Sequence, residues 1–220
     1  MFSILPIFYE TEFNPRLIKL MAKWYFRNIG IKSYTFNNLV YSTKMIDISN
    51  KVLADKTYDY YNGLQHLFIK EMDENINHNN YTNKLQSMTF PGYKSTIATH
   101  LLMFYETCKS NDNATVPLDY TIEHIIPQSK INTLLTNKDR MHNLGNLTLL
   151  EGTNSKNGHK GNSSIGNKPY EDKVSSYKNS TSLITKDIAR KYEVFNEETI
   201  LDRCKFLAKE LNNYLSYKIE

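Results

Sequence analysis

Glu123, His124, Asn146 and Asn154 are the residues of this chain whose types and spacing carry chemistry. Glu123 offers a carboxylate, His124 an imidazole, and the two asparagines offer amide oxygens. A carboxylate with an amide oxygen suits a hard divalent cation such as Mg²⁺ or Mn²⁺. Mg²⁺ keeps several waters and takes phosphate oxygens from its substrate, so two protein ligands suffice. A histidine, with an ordinary pKa of about 6.5, is matched to accepting a proton near neutral pH. Together these groups can hydrolyse a phosphodiester: the base deprotonates a water, and the cation stabilises charge on the phosphate and the leaving oxygen. The residues alone also allow the roles to be exchanged, with His124 as ligand and Glu123 as base.

The elements that must position them are short. Residues 120–126 read as a strand of β-branched and aromatic types, and Pro127, lacking an N–H for a ladder, ends it. Residues 146–150 read as a second strand, with Gly145 and Gly152 supplying turns on either side. Asn154-Ser155-Lys156 then begins a short helix, with Thr153 or Asn154 near its N-cap. The outline is strand, long loop, strand, helix. Neighbouring strand residues point to opposite faces, so Glu123 and His124 share one site only if the strand bends or ends there. Pro127 makes such an ending reasonable.

Three segments carry a family resemblance: Ile122-Glu123-His124-Ile125-Ile126-Pro127-Gln128, Leu144-Gly145-Asn146-Leu147-Thr148-Leu149-Leu150, and Asn154-Ser155-Lys156. In order and spacing they resemble the HNH (ββα-metal, His-Me finger) endonucleases, within them the branch at the C-terminal end of GmrSD-type modification-dependent restriction enzymes. The likeness continues more loosely through Pro169-Tyr170, Lys173 and Arg203, and so covers about the second half of the chain. It implies that Glu123 is the acidic metal ligand and His124 the general base. Asn146 would be the middle asparagine that braces the loop and the histidine, and Asn154 the third position, a metal ligand that is His in some relatives. The implied ion is Mg²⁺ or Mn²⁺, and the implied activity is DNA nicking or double-strand cleavage in defence against foreign or modified DNA. The implied fold is mainly α with a small α+β element, the ββα-metal motif being embedded in a helical domain. Many HNH proteins also carry a four-cysteine zinc knuckle; this chain has only Cys108 and Cys204 and no C-x-x-C, so that zinc is not expected.

Each piece alone has a blander reading. A Glu-His pair on a strand is commonly an exposed polar pair, and Asn-Leu-Thr-Leu-Leu a core strand. Their joint order favours the nuclease. Two rivals remain at this level: an inactive nucleic-acid-binding or assembly module on the same scaffold, and an RNase.

Composition sets the frame. The 220 residues suit one large or two small domains: a helical connector or scaffold over 1–115, then a nuclease domain with C-terminal helices over 116–220. Two cysteines far apart in sequence point to reduced thiols and a cytoplasmic protein. There is no apolar run of membrane-spanning length, and the N-terminus lacks the pattern of a signal peptide. The net charge is +4, and residues 130–178 hold eight Lys and Arg against four Asp and Glu. That excess sits on and just after the proposed site, where a phosphate backbone would dock. Charge alone would equally describe a solvated basic surface. Lys156, Lys160 and Arg140 are the candidate phosphate contacts.

Elsewhere the chain reads as helices. Helices are expected over 14–28, 43–55 and 58–72, with Asn14 and Pro15 opening the first and His66 a packing or surface residue in the third. Asn75 to Asn83 reads as a loop, 82–88 as a short helix, and Tyr93 to Lys109 as a strong helix on which His100 is structural. Ser110 to Pro117 is the linker. Gly158 to Lys168 has the composition of a mobile loop, and His142 and His159 are loop histidines that could serve as a spare ligand or base, although such residues are more commonly simply exposed. Further helices are expected from Pro169 to Lys178, from a Thr185 cap to Tyr192, and from an Asn196 cap to Tyr217. Arg203 on the last is either a salt-bridge residue or one that reaches back to the site. Residues 1–115 carry no chemistry motif. They resemble the connector between the HNH domain and a nucleotide-using domain, so an NTPase or sensor is expected as a partner in cis or in trans.

Overall fold

Tyr120–His124 (β1) and Leu147–Glu151 (β2) pair antiparallel, with Glu123 opposite Thr148 and His124 opposite Leu147. They are seen in a computed structural model that describes residues 50, 54, 78–92, 95–110, 120–152 and 161–215. Around the strands lie α1 (His78–Ser87), α2 (Ser95–Lys109), α3 (Ile131–Leu134), α4 (Asn162–Ile165), α5 (Tyr170–Asn179), α6 (Leu183–Lys191) and α7 (Glu197–Leu215). The fold is mainly α with one small antiparallel sheet among the described residues, as the sequence implies. Thr82–Tyr214 is one compact unit, separate from Met1–Tyr81 with Leu215–Glu220. Among the described residues no helix is long and apolar enough to cross a membrane.

Every residue of β2 is buried, which is why its sequence runs apolar instead of alternating. The core joins Ile125 and Ile126 beyond β1 to Leu150 of β2, Tyr177 of α5, Ile188 of α6 and Ile200 of α7. Burying aliphatic side chains of this kind stabilises by about 1.5–3 kcal/mol each. At Gly145 a Cβ would lie 1.9 Å from the Ile200 carbonyl oxygen, so the backbone of α7 rests directly on the turn into β2.

The strand bounds differ from expectation. β1 stops at His124 and not at Ile126, and β2 starts at Leu147 because Leu144–Asn146 forms a 3-10 turn. The ladder is handed to that turn: Ile125 N–H donates to the Asn146 carbonyl at 2.9 Å, and Ile126 N–H donates to Asn146 Oδ1 at 2.9 Å.

Helix ends show the same use of remote groups. The helix starting near Thr185 begins instead at Leu183, with Ser182 Oγ accepting from Thr185 N–H at 3.3 Å. Glu106 of α2 adds a carboxylate there, accepting from the N–H groups of Leu183 and Ile184. This satisfies donors that have no intrahelical partner and places negative charge at a helix N-terminus. Thr185 is freed to face the sheet, where its hydroxyl lies 2.8 Å from that of Thr148 and donates to the Leu149 carbonyl. Asn196 caps α7 as expected, accepting from Thr199 N–H at 2.9 Å.

Two stretches expected as loops are helical where described. α1 begins at His78, within the Asn-rich stretch, because Tyr81 and Leu85 bury one edge and outweigh the poor helix propensity of asparagine. Residues 161–168 hold α4, and Asn162 Nδ2 ties it to β1 through the Ile122 carbonyl at 2.8 Å. The expected helices 14–28 and 58–72, with His66, lie outside the described residues, as does the boundary at 115/116. Of the expected helix 43–55, residues 50 and 54 are described and helical.

Candidate active site

Asn146 shapes the end of β1. Its Oδ1 accepts from Ile126 N–H, while its Nδ2 donates to the carbonyls of Ile126 at 3.1 Å and Met141 at 2.9 Å. The side chain thus pairs with Ile126 as a peptide group would, extending the ladder by one rung and holding the inter-strand loop against it. Buried amides need such partners, because an unmade hydrogen bond there costs about 1–3 kcal/mol.

Glu123 and His124, neighbours on β1, turn to different partners. Glu123 is 2% exposed and faces α5. Its Oε1 accepts from Lys173 Nζ and, at 3.1 Å, from the Tyr177 hydroxyl. Lys173 and Tyr177 are four apart on α5, so one helix face delivers both. Lys173 Nζ also donates to the carbonyls of His124 at 2.7 Å, Ile125 at 3.3 Å and Gly166 at 3.0 Å. Burial drives the Glu123 carboxyl above, and the Lys173 ammonium below, their ordinary values, and the attraction between the two charges opposes both shifts. Burial also raises the Tyr177 phenol well above its ordinary value, so it stays a donor.

His124 faces the inter-strand loop. Its Nε2 lies 3.2 Å from His142 Nδ1 and 3.3 Å from Gln128 Nε2. The two imidazoles meet nearly edge-on, with ring planes at 81°. Burial, then His142, then Lys173 push the His124 pKa down to about 4, and burial lowers that of His142. His124 is therefore neutral at physiological pH, with a lone pair available to take a proton.

A half-buried histidine at the end of β1, an asparagine clamp from the turn before β2 and a buried carboxylate next to the histidine in the chain are thus on one small sheet. The family of GmrSD restriction endonucleases, C-terminal domain, matches residues 75–210. The chain belongs to that family. No curated protein matches it. As a GmrSD C-terminal domain it is a restriction-type nuclease domain, and DNA is the substrate class that this implies.

In this GmrSD domain the question left open for Arg203 is answered by α7. Its Nη1 donates to the carbonyls of Leu144 at 3.3 Å, Gly145 at 2.8 Å and Leu147 at 2.8 Å. It reaches back to the turn that carries Asn146, and among the described residues it forms no salt bridge. Burial lowers its pKa to about 10, which leaves it charged at neutral pH.

The other candidates divide. Asn154, Lys156, Lys160 and His159 lie outside the described residues. Arg140 is half-buried in the Lys138–His142 3-10 turn, with Nε unpartnered. His142, read from sequence as an exposed loop histidine, is half-buried against His124, because the loop folds over the end of β1. Lys173 and Tyr177 were missed as partners of Glu123. Their spacing on one helix face was visible, but what that face meets is set by tertiary packing.

A divalent cation fits the carboxylate in part. Oε1 of Glu123 is engaged by Lys173 and Tyr177, whereas Oε2 takes part in neither bond and lies towards Gly166. That oxygen is a hard donor of the type Mg²⁺ takes. Among the described residues no group of three or more His, Cys, Asp and Glu converges as a metal centre.

Proposed function

We propose that this domain is a metal-dependent HNH DNA endonuclease in which His124 is the general base. The observation that carries the reading is a neutral, half-buried His124 at the end of β1, fixed through one ring nitrogen and beside the Asn146 clamp. Glu123, through Oε2, and Asn154 would hold Mg²⁺ or Mn²⁺, which supplies charge neutralisation at the phosphate. His124 takes the proton from the attacking water. Asn146 keeps the end of β1 and the inter-strand loop in register, and so orients the imidazole. Lys156, Lys160 and Arg140 contact backbone phosphates, which gives affinity with little base information. Residues 1–115 serve as a helical scaffold and 116–220 as the nuclease, working in the cytoplasm with an NTPase or sensor in restriction of foreign DNA.

The test is supercoiled plasmid with Mg²⁺ or Mn²⁺, with and without EDTA, using wild type and His124→Ala. Nicking or linearisation abolished by EDTA and by the substitution supports the reading. Plasmid binding without cutting in either protein replaces it with a binding or assembly module, and cutting of labelled RNA in preference to plasmid replaces it with an RNase.

A further inference from the structure

Both hydrogen-bond contacts of the His124 ring converge on Nε2, one from His142 Nδ1 at 3.2 Å and one from Gln128 at 3.3 Å. Among the described residues no hydrogen bond reaches Nδ1. We infer that His142 is a positioning residue whose Nδ1 accepts the Nε2–H of His124 and so reserves His124 Nδ1 as the atom that takes the proton. The inference rests on the reading of His124 as the base and names the atom and the residue that prepare it.

The reasoning is a proton count. A neutral imidazole has one N–H and one lone pair. A bond between two ring nitrogens holds one proton, which sits on His124 Nε2 or on His142 Nδ1. If it sits on His142, the Nε2 lone pair of His124 is consumed and its Nδ1 carries the hydrogen, leaving no base. If it sits on His124 Nε2, His142 is the acceptor and His124 Nδ1 keeps a free lone pair. Gln128 Nε2 lies 3.3 Å from the same nitrogen, and this tautomer requires the amide to be turned so that its oxygen faces the N–H. In the reaction, one water proton passes to Nδ1. The water oxygen forms its bond to phosphorus as the bond from phosphorus to the leaving oxygen breaks. The resulting imidazolium donates from Nε2 to His142 more strongly than the neutral ring did, because the donor is now charged.

His142 is delivered to this place by backbone bonds of its own. Its carbonyl accepts from Phe90 N–H at 2.8 Å, and the next residue, Asn143, bridges to Thr89 and donates from Nδ2 to the Gln86 carbonyl at 3.0 Å. The acceptor is therefore held by the segment that leaves α1 as well as by the Asn146 clamp.

Two measurements test this on the full chain. Plasmid cleavage is compared for wild type, His142→Leu, which removes the acceptor, and His142→Asn, which keeps a short-range one. The expected result is a kcat lower by about 10- to 100-fold in the leucine variant, with KM within about twofold and most of the rate restored by asparagine. Nitrogen NMR of the wild-type imidazoles in EDTA should show His124 protonated at Nε2. A kcat unchanged in His142→Leu, an asparagine variant as slow as the leucine one, or wild-type His124 protonated at Nδ1 would each overturn the inference. Cutting that survives His124→Ala would instead sink the base assignment itself, and the NMR result would still report on the pair.

Discussion

Lys173 and Glu123 form an ion pair in which the side chains are 0% and 2% exposed. The same ammonium holds the His124, Ile125 and Gly166 carbonyls, so one cation ties α5 to the end of β1 and to the turn before α5. Removing one member of a buried pair costs more than removing both, because the survivor is left charged and dry. Lys173→Met should destabilise by about 3–5 kcal/mol, and Lys173→Met with Glu123→Gln by less than the single change. Urea denaturation of the two variants checks the order.

Asn146→Ala removes three hydrogen bonds and leaves Ile126 N–H and the Ile126 and Met141 carbonyls unpaired in the interior. A loss of about 3 kcal/mol is expected. Hydrogen exchange should show the Ile126 amide deprotected, and plasmid cleavage should fall with it. Full protection of that amide in the variant would show that another group takes over the rung.

Gly145→Ala puts a methyl group 1.9 Å from the Ile200 carbonyl oxygen, and that oxygen belongs to the backbone of α7. Neither chain can step aside cheaply, so a destabilisation of about 3 kcal/mol or more is expected. Thermal unfolding of the variant is the measurement.

Acid should weaken the metal-free fold through His124. Its pKa is about 4 in the folded chain, against about 6.5 when unfolded. Between those values the unfolded chain binds more protons, so stability rises with pH. The contribution is fully present above about 6.5 and is lost as pH falls towards about 4. In EDTA, His124→Phe should flatten the stability profile across that window, as read by denaturation midpoints.

The sequence was most legible where local chemistry decides. Two strands pair where the β-branched and apolar runs predict them, and Asn196 caps α7. It was least legible where a distant group takes over a local role. Ser182 with Glu106, not Thr185, opens α6, and β1 ends two residues early, its last rungs being taken over by the backbone and side chain of Asn146. His142 had only the weak mark of a loop histidine, since the folding of the loop over β1 is what brings it to His124. Lys173 was marked by the looser family likeness, but nothing local signalled that it is wholly buried against Glu123.

The three carbonyls that Arg203 holds sit on either side of Asn146, yet the guanidinium arrives on the last described helix. During synthesis the ribosome releases every candidate catalytic side chain before it releases this brace. A nascent or prematurely terminated chain ending short of Arg203 would possess the cutting groups without the rigid frame that aims them. The blade is set in its handle only once α7 has emerged.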